Sequence, residues 1–454
     1  MTPQEYIQAN RSKFMDDLFT LLRFPTISTT AENKPDVRAC GEWLAEKAKS
    51  LGFMNVKLND TPGHPILTGK YLGAGPQAPT VLLYGHYDVQ PVDPIDLWFK
   101  NPFEPWMDGD KLFARGVADD KGQVWIHFCA MEAWMNTVGR LPVNVKLLIE
   151  GEEEIGSPNL VPFCAEHTEE LKADVVVISD TGMFADDLPT ICYGLRGLTY
   201  FQIDLEGPNR DLHSGTYGGA VANPAFELAR IIAQLKTPQG VVTVPGFYDS
   251  VRPLTEEERV MWAKLPHSDK EYAEELGVDS LVGEYSYTTL ERTWVRPTFE
   301  VCGLLSGFTG EGAKTVLPAK AMAKVSCRLV PDQDPHDIET KFINFVESLC
   351  PKGCKIKVTP HHGGKPVITE RDSRFINAAS RALEKAFRKT PVFIRQGGSI
   401  PITAAFKEIL GLDSVLLGFS QPNENAHSPN EWLSVKAFEH GVDTSAYFWE
   451  EAVK

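Results

Sequence analysis

No stretch of this chain approaches the ~20 apolar residues that a bilayer span requires. Its opening, Met1-Thr-Pro-Gln-Glu-Tyr-Ile-Gln, also lacks the apolar core of a signal peptide. Positive charge is scarce too. Lys and Arg number 45 against 61 Asp and Glu, a formal net charge of −16. No basic cluster stands out, which argues against a nucleic-acid surface, since phosphate binding calls for one. The acidity reads as plain solubility. The eight cysteines form no disulfide framework. Cys350 and Cys354 come closest to a pair, but no second pair completes a zinc knuckle. These absences predict a cytoplasmic protein with reduced, mostly buried thiols and no membrane or nucleic-acid partner.

What is present is the composition of a globular protein, with 43% hydrophobic and 23% charged residues. At 454 residues two domains are expected rather than one core. Residues 1–194 alternate helical spacing (Phe14–Phe24, Cys40–Leu51, Gln123–Val138) with apolar runs that read as buried strands (Thr80–Tyr84, Val143–Ile149, Val175–Ile178). Such alternation predicts a mostly parallel sheet covered by helices. Near Leu195 the pattern changes. Leu198–Leu205, Phe299–Leu305, Ala321–Leu329 and Lys355–Thr359 look like strands and Ala225–Leu235 like a helix, with a long irregular insert from about Thr237 to Arg296. Helical spacing then resumes at Arg374–Arg388, Ile402–Leu410 and Ala437–Ala452, with Ser414–Leu417 as another strand. The fold class is therefore α/β with an inserted α+β domain. A first domain of 1–194 and 369–454 is interrupted by a second at 195–368.

Polar residues cluster where the apolar runs stop. The segments are Gly85-His86-Tyr87-Asp88, Ala118-Asp119-Asp120-Lys121-Gly122, Glu150-Gly151-Glu152-Glu153-Glu154, Ile178-Ser179-Asp180 and Asn425-Ala426-His427-Ser428. In open α/β sheets the carboxyl ends of the strands form the ligand crevice. Two imidazoles and several carboxylates converging there would suit a dinuclear hydrolytic metal site. Asp88 either orients His86 through its second ring nitrogen or is itself a ligand. Among the neighbouring glutamates, one could ligate metal while another shuttles protons. Each segment alone also reads as a solvated turn, a surface histidine or a charged strand end.

In this order the segments resemble the co-catalytic dizinc exopeptidases typified by carnosinase and cytosolic nonspecific dipeptidase, with aminoacylase and acetylornithine deacetylase as distant relatives. Further matching motifs are Arg115-Gly-Val-Ala-Asp-Asp-Lys-Gly, Asp211-Leu-His-Ser-Gly, Thr315-Val-Leu-Pro, Arg328-Leu-Val-Pro, Gly397-Gly-Ser-Ile-Pro and Ala426-His-Ser-Pro-Asn-Glu. The resemblance covers nearly the whole chain. It implies two divalent ions per subunit, zinc first and manganese as the alternative. His86, Asp119 and Asp180 would hold one, and Asp119, Glu154 and His427 the other, with Asp119 bridging across a cis Asp119–Asp120 peptide. It also implies that Asp88 orients His86 and that Glu153 is the general base. His213 would reach the active site of a partner subunit, in a homodimer formed through the inserted lid or dimerisation domain. Arg328, Thr315, Ser399 and Gly398 would hold the substrate. Three ligand carboxylates and a bridging hydroxide would balance two divalent ions in charge. The function expected from the resemblance is hydrolysis of dipeptides. Deacylation of N-acyl amino acids at the same site is the alternative, and a non-catalytic binding homologue the remote one.

Overall fold

The computed structural model describes residues 1–398 and 400–454. The chain divides into two units. Met1–Tyr193, Thr369–Ile394 and Ala405–Lys454 form the first, and Gly194–Ile368 with Arg395–Ala404 the second. The Arg395–Ala404 segment, grouped by sequence with the returning chain, thus clusters with the second unit.

Apolar runs without polar alternation need burial on both faces, and the first unit provides it. Strands Asn144–Glu150, Thr80–His86, Val175–Ile178 and Ser414–Leu416 lie side by side in that order, all parallel. Antiparallel strands flank them: Ile66–Tyr71 and Met54–Asn59 on one side, Thr190–Leu195 on the other. On one face Val81, Leu83, Val145, Leu147 and Val175 share a core with Leu44, Val124, Leu383 and Phe448 of four covering helices: Lys34–Ser50, Lys121–Thr137, Arg374–Phe387 and Val435–Glu451. On the other face Leu82, Tyr84, Leu148 and Val176 are also buried, and the Tyr84 ring meets Phe406 edge-on at 5.2 Å. Burial of each such side chain stabilises the unit by about 1.5–3 kcal/mol.

The predicted runs Thr80–Tyr84 and Val143–Ile149 extend in the structure to His86 and Glu150, which face each other in register. His86 is therefore the last rung of a ladder and not part of a loop, so its backbone is fixed by the sheet. The Asp119 turn is fixed differently. Helix Lys121–Thr137 begins directly after it, and a Cβ on Gly122 would lie 2.0 Å from the Val117 carbonyl oxygen. Only glycine lets the turn close onto the helix there.

In the second unit strands Thr298–Ser306, Lys320–Leu329, Gly197–Glu206 and Lys355–Gly364 form an antiparallel sheet in that order. Burial alternates along Gly197–Glu206, as expected when one face is packed and the other is not. The packed face sets Phe201, Ile203 and Val325 against Leu228, Ile338 and Phe342 of helices Pro224–Gln234 and Pro335–Ser348.

The insert predicted as irregular is not. It carries helices Glu256–Trp262, Asp269–Leu276 and Thr289–Trp294, N-capped by Thr255, Ser268 and Thr288. Thr255 and Thr288 form capping boxes with Glu258 and Glu291. At 7, 8 and 6 residues these helices are too short for apolar periodicity to register. Among the described residues no helix is long and apolar enough to cross a membrane.

Candidate active site

The strand ends and turns of the first unit gather the metal-seeking side chains. His86 is fully buried. Its Nδ1 lies 3.1 Å from the Asp88 carbonyl oxygen and 3.4 Å from Asp88 Oδ1. Its Nε2 lies 3.0 Å from Asp119 Oδ1 and 3.9 Å from Asp180 Oδ2. Nδ1 thus faces Asp88 and Nε2 donates toward Asp119; a metal ion taking the place of the Nε2 proton would find that nitrogen available as a ligand. The other Asp119 oxygen lies 2.9 Å from His427 Nε2, which is 3.2 Å from Glu154 Oε2. Two sets of donor atoms result, His86–Asp119–Asp180 and Asp119–Glu154–His427, each within 4.8 Å. Asp119 is common to both. The Asp119–Asp120 peptide is cis.

The acidic triplet is sorted by its hydrogen bonds. Glu152 turns inward and is buried, accepting from the His64 backbone N–H at 2.6 Å and from Asn159 Nδ2 at 2.8 Å. Glu154 joins the second donor set and accepts from Gln90 Nε2 at 2.8 Å. Glu153 stands between them, half-buried. Asp88 sets this turn as well as His86, because its two oxygens accept from the backbone N–H groups of Glu153 and Glu154, each at 3.1 Å.

So many carboxylates in one place resist ionisation together. Burial, with Asp119 and Asp120 adding, pushes Asp180 well above the usual carboxylate range. Burial also pushes Glu153 up to about 7; His86 opposes this and Asp119, Glu154 and Asp88 add to it. Hydrogen bonds from His427 and then His86 outweigh burial at Asp119 and hold it far down. His427, paired with Asp119 and Glu154, is raised to about 10. Each donor set offers one imidazole nitrogen and two carboxylate oxygens, a combination that fits divalent metal ions and relieves this crowding.

The remaining predicted residues belong to the second unit. His213 pairs with Val316 in a short antiparallel bridge, and Ser214 N donates to the Thr315 carbonyl at 3.1 Å, so His213 and Thr315 are neighbours there. Both are exposed. His213 Nδ1 accepts from Gly215 N and Thr216 N at 3.1 and 3.2 Å. The neutral ring therefore carries its proton on Nε2, a hydrogen-bond donor. Arg328 lines a cavity of about 520 Å³ with Arg196, Arg292 and Arg296. The Gly398 carbonyl accepts from Arg196 N at 3.2 Å. Ser399 lies outside the described residues.

Comparison with known proteins decides the family. The profile of peptidase family M20/M25/M40 matches residues 82–451. The chain belongs to this family. It is 34% identical to the Cys-Gly metallodipeptidase DUG1 of Candida albicans, over 96% of this chain and 94% of that protein. It is also 34% identical to human Beta-Ala-His dipeptidase, over 86% and 78%. Among solved structures, the M20 family metallo-carboxypeptidase Sso-CP2 from Sulfolobus solfataricus superimposes with a TM-score of 0.84 at 34% identity, covering 97% of this chain and 99% of that one.

Three residues of this M20 peptidase chain escaped the sequence reading. Gln123 accepts from Phe419 N and donates to the Ala118 carbonyl and to Ser420 Oγ, tying the Asp119 turn to the segment after strand Ser414–Leu416. Arg196 donates from Nε to the Gly397 carbonyl at 3.0 Å. Glu431 takes hydrogen bonds from the Asp119 turn. Glu431 lay in a quoted motif, but its partners are more than 300 positions away in the chain, and neither periodicity nor spacing carries that.

Proposed function

We propose that this M20 chain hydrolyses the peptide bond of dipeptides. The observation that carries the proposal is the pair of donor sets sharing Asp119, with the backbone of the neighbouring Glu153 held by Asp88. The names of the relatives, a Cys-Gly metallodipeptidase and a Beta-Ala-His dipeptidase, support a dipeptide as substrate. Two divalent ions, zinc with manganese as the alternative, would be held by His86, Asp119 and Asp180 and by Asp119, Glu154 and His427, and would supply Lewis-acid polarisation of water and of the scissile carbonyl. Glu153, raised toward neutrality by burial, takes a proton from the attacking water and returns it to the departing amine. Asp88 keeps His86 and the Glu153 turn in place for that transfer. His213 offers its Nε2–H to the oxyanion of the tetrahedral intermediate. In this reading it does so across a homodimer built through the second unit, whose outer strand Thr298–Ser306 leaves Leu304 and Leu305 more than half exposed. In this reading Arg328 takes the substrate's free carboxylate by a charge-assisted contact, and Thr315, Ser399 and Gly398 are the further substrate-binding residues. Cytoplasmic residence belongs to the same reading and is supported by eight free cysteines.

A panel of dipeptides assayed beside N-acetyl amino acids, with metal analysis of the purified protein, tests this. Dipeptide cleavage with two metal equivalents per chain is the expected result. Faster turnover of the N-acetyl compounds would make the chain a deacylase, and no hydrolysis of either class would remove the catalytic reading.

A further inference from the structure

Glu431 follows His427 in the same loop, and its side chain is 1% exposed. A carboxylate so buried is costly unless it is fully hydrogen-bonded, and this one is. Oε2 accepts from Arg115 Nη1 at 2.8 Å and Gly116 N at 2.9 Å, while Oε1 accepts from Ala118 N at 2.9 Å and Asp119 N at 3.2 Å. Both oxygens are thus spent on the main chain that leads into Asp119 and on the arginine that opens it. The Glu431 carbonyl also accepts from Ala114 N at 3.2 Å.

The loop on the other side of this clamp needs anchoring. Asn425, His427 and Asn430 all have left-handed backbones, with φ of 56°, 60° and 61°. L residues hold that conformation only where their surroundings impose it. Asn430 supplies one anchor, accepting from Phe99 N at 2.7 Å and donating to the Leu97 carbonyl at 2.9 Å. Glu431 supplies another, and its carboxylate reaches the main chain of the Asp119 turn. We infer that Glu431 is a positioning residue for the metal centre: its carboxylate locks the Asp119 main chain to the His427 loop, setting the distance between the carboxylate shared by both donor sets and the imidazole of the second. This rests on the dinuclear reading above.

Glu431→Gln keeps the size. However its amide is turned, the NH₂ faces two donors, either Arg115 and Gly116 or Ala118 and Asp119, so half the clamp is lost. The full-length protein, stripped with a chelator, is titrated with Zn²⁺ against a chromophoric competitor, and kcat and KM are measured at limiting and saturating Zn²⁺. The expected result is about 10–100-fold weaker binding of the looser ion, typical when a group supporting a metal ligand is lost. With saturating Zn²⁺, kcat should return close to wild type and KM should not move. Wild-type zinc affinity in the variant overturns the role, as does a kcat deficit that zinc does not rescue, which is what a merely structural lesion gives. If the glutamine variant does not fold, Glu431→Asp keeps the charge and shortens the reach; it should weaken zinc binding in the same sense, and wild-type affinity there overturns the role equally. Wild-type protein that takes up fewer than two zinc ions overturns the dinuclear reading and this inference with it. Two equally tight ions on both proteins overturn the role of Glu431 alone.

Discussion

In the first unit most of the site's polar groups are buried and several are held by backbone donors, with His427, its side chain 53% exposed, as the exception. His86 and Asp88 are fully inaccessible, Asp88 is anchored by two N–H groups of the Glu153 turn, and Glu431 by three N–H groups and a guanidinium. In the second unit His213 and Thr315 are exposed, placed by one short antiparallel bridge and by hydrogen bonds within the turn that follows His213. Buried charge must be paired and hydrogen-bonded or it destabilises the fold, whereas surface side chains usually contribute within ±0.5 kcal/mol. The first unit therefore couples its chemistry to its own packing, and the second keeps the two apart. Lesions in the two units should differ in kind as well as in size.

The largest effect is expected at Asp119, the residue common to both donor sets. Asp119→Ala should lower metal content at both positions and abolish measurable activity, while His86→Ala and His427→Ala should each weaken chiefly one position. Elemental analysis after dialysis reads this out. Two ions retained by Asp119→Ala would end its bridging role.

Next comes Glu153. Glu153→Gln should keep both metal ions and lower kcat by roughly 10²–10⁴, the usual cost of losing a general base. Glu154→Gln should instead lose metal, because Glu154 lies 3.2 Å from His427 Nε2 within the second donor set. Metal loss in Glu153→Gln, with retention in Glu154→Gln, would exchange the two roles.

The second unit supplies the contrast. His213→Ala should lower kcat by about 10²–10³, as loss of one oxyanion donor does, with KM within a few-fold, metal content unchanged and Tm unmoved. Mixing His213→Ala with Glu153→Ala subunits sharpens the test. If His213 acts across a dimer, each heterodimer keeps one intact site and part of the activity returns. No recovery with heterodimers shown by mass spectrometry would confine His213 to its own subunit or to no role. A fall in Tm matching the fall in activity would erase the distinction between the units.

The two units were also legible to different degrees. In the first, the parallel strands ending at His86, Glu150 and Ile178 lead directly into candidate site residues, so Val175–Ile178 and the Asp180 beyond it could be read directly. The sheet core of the second was legible too, since alternation such as that of Gly197–Glu206 marks one buried face. What sequence could not carry is pairing between distant parts of the chain. Glu431 contacts Asp119 across 312 positions and Arg196 contacts Gly397 across 201; neither leaves a trace in periodicity. The three helices between Thr255 and Trp294 failed for a different reason. Two of them carry Thr-x-x-Glu capping boxes and the third a serine cap, but helices marked by caps and not by an apolar stripe leave no trace in periodicity.

The smallest expected effect lies in the first unit, in a cluster that none of the proposed chemistry uses. Glu451 accepts from Arg381 Nε and Lys385 Nζ at 2.6 Å and from Lys454 Nζ at 2.7 Å, closing helix Val435–Glu451 onto helix Arg374–Phe387. Burial raises the Glu451 carboxyl, but the hydrogen bonds from Lys385, Lys454 and Arg381 outweigh it and bring it down to about 2. A carboxylate depressed in the folded state stabilises the fold above its unfolded value, and that stabilisation is lost as pH falls toward the folded value. Since Arg381, Lys385 and Lys454 are themselves 45%, 39% and 51% exposed, solvent screening holds the contribution to about 1 kcal/mol. Glu451→Gln should lower Tm by roughly 2–4 °C at neutral pH and leave kcat and KM unchanged, the mirror image of His213→Ala. The difference between wild type and variant should shrink as pH falls from about 5 toward 2, tracked by denaturation midpoints at each pH. A difference that stays constant across that window would mean that Glu451 acts through packing, and the charge cluster would then play no part in holding the two helices together.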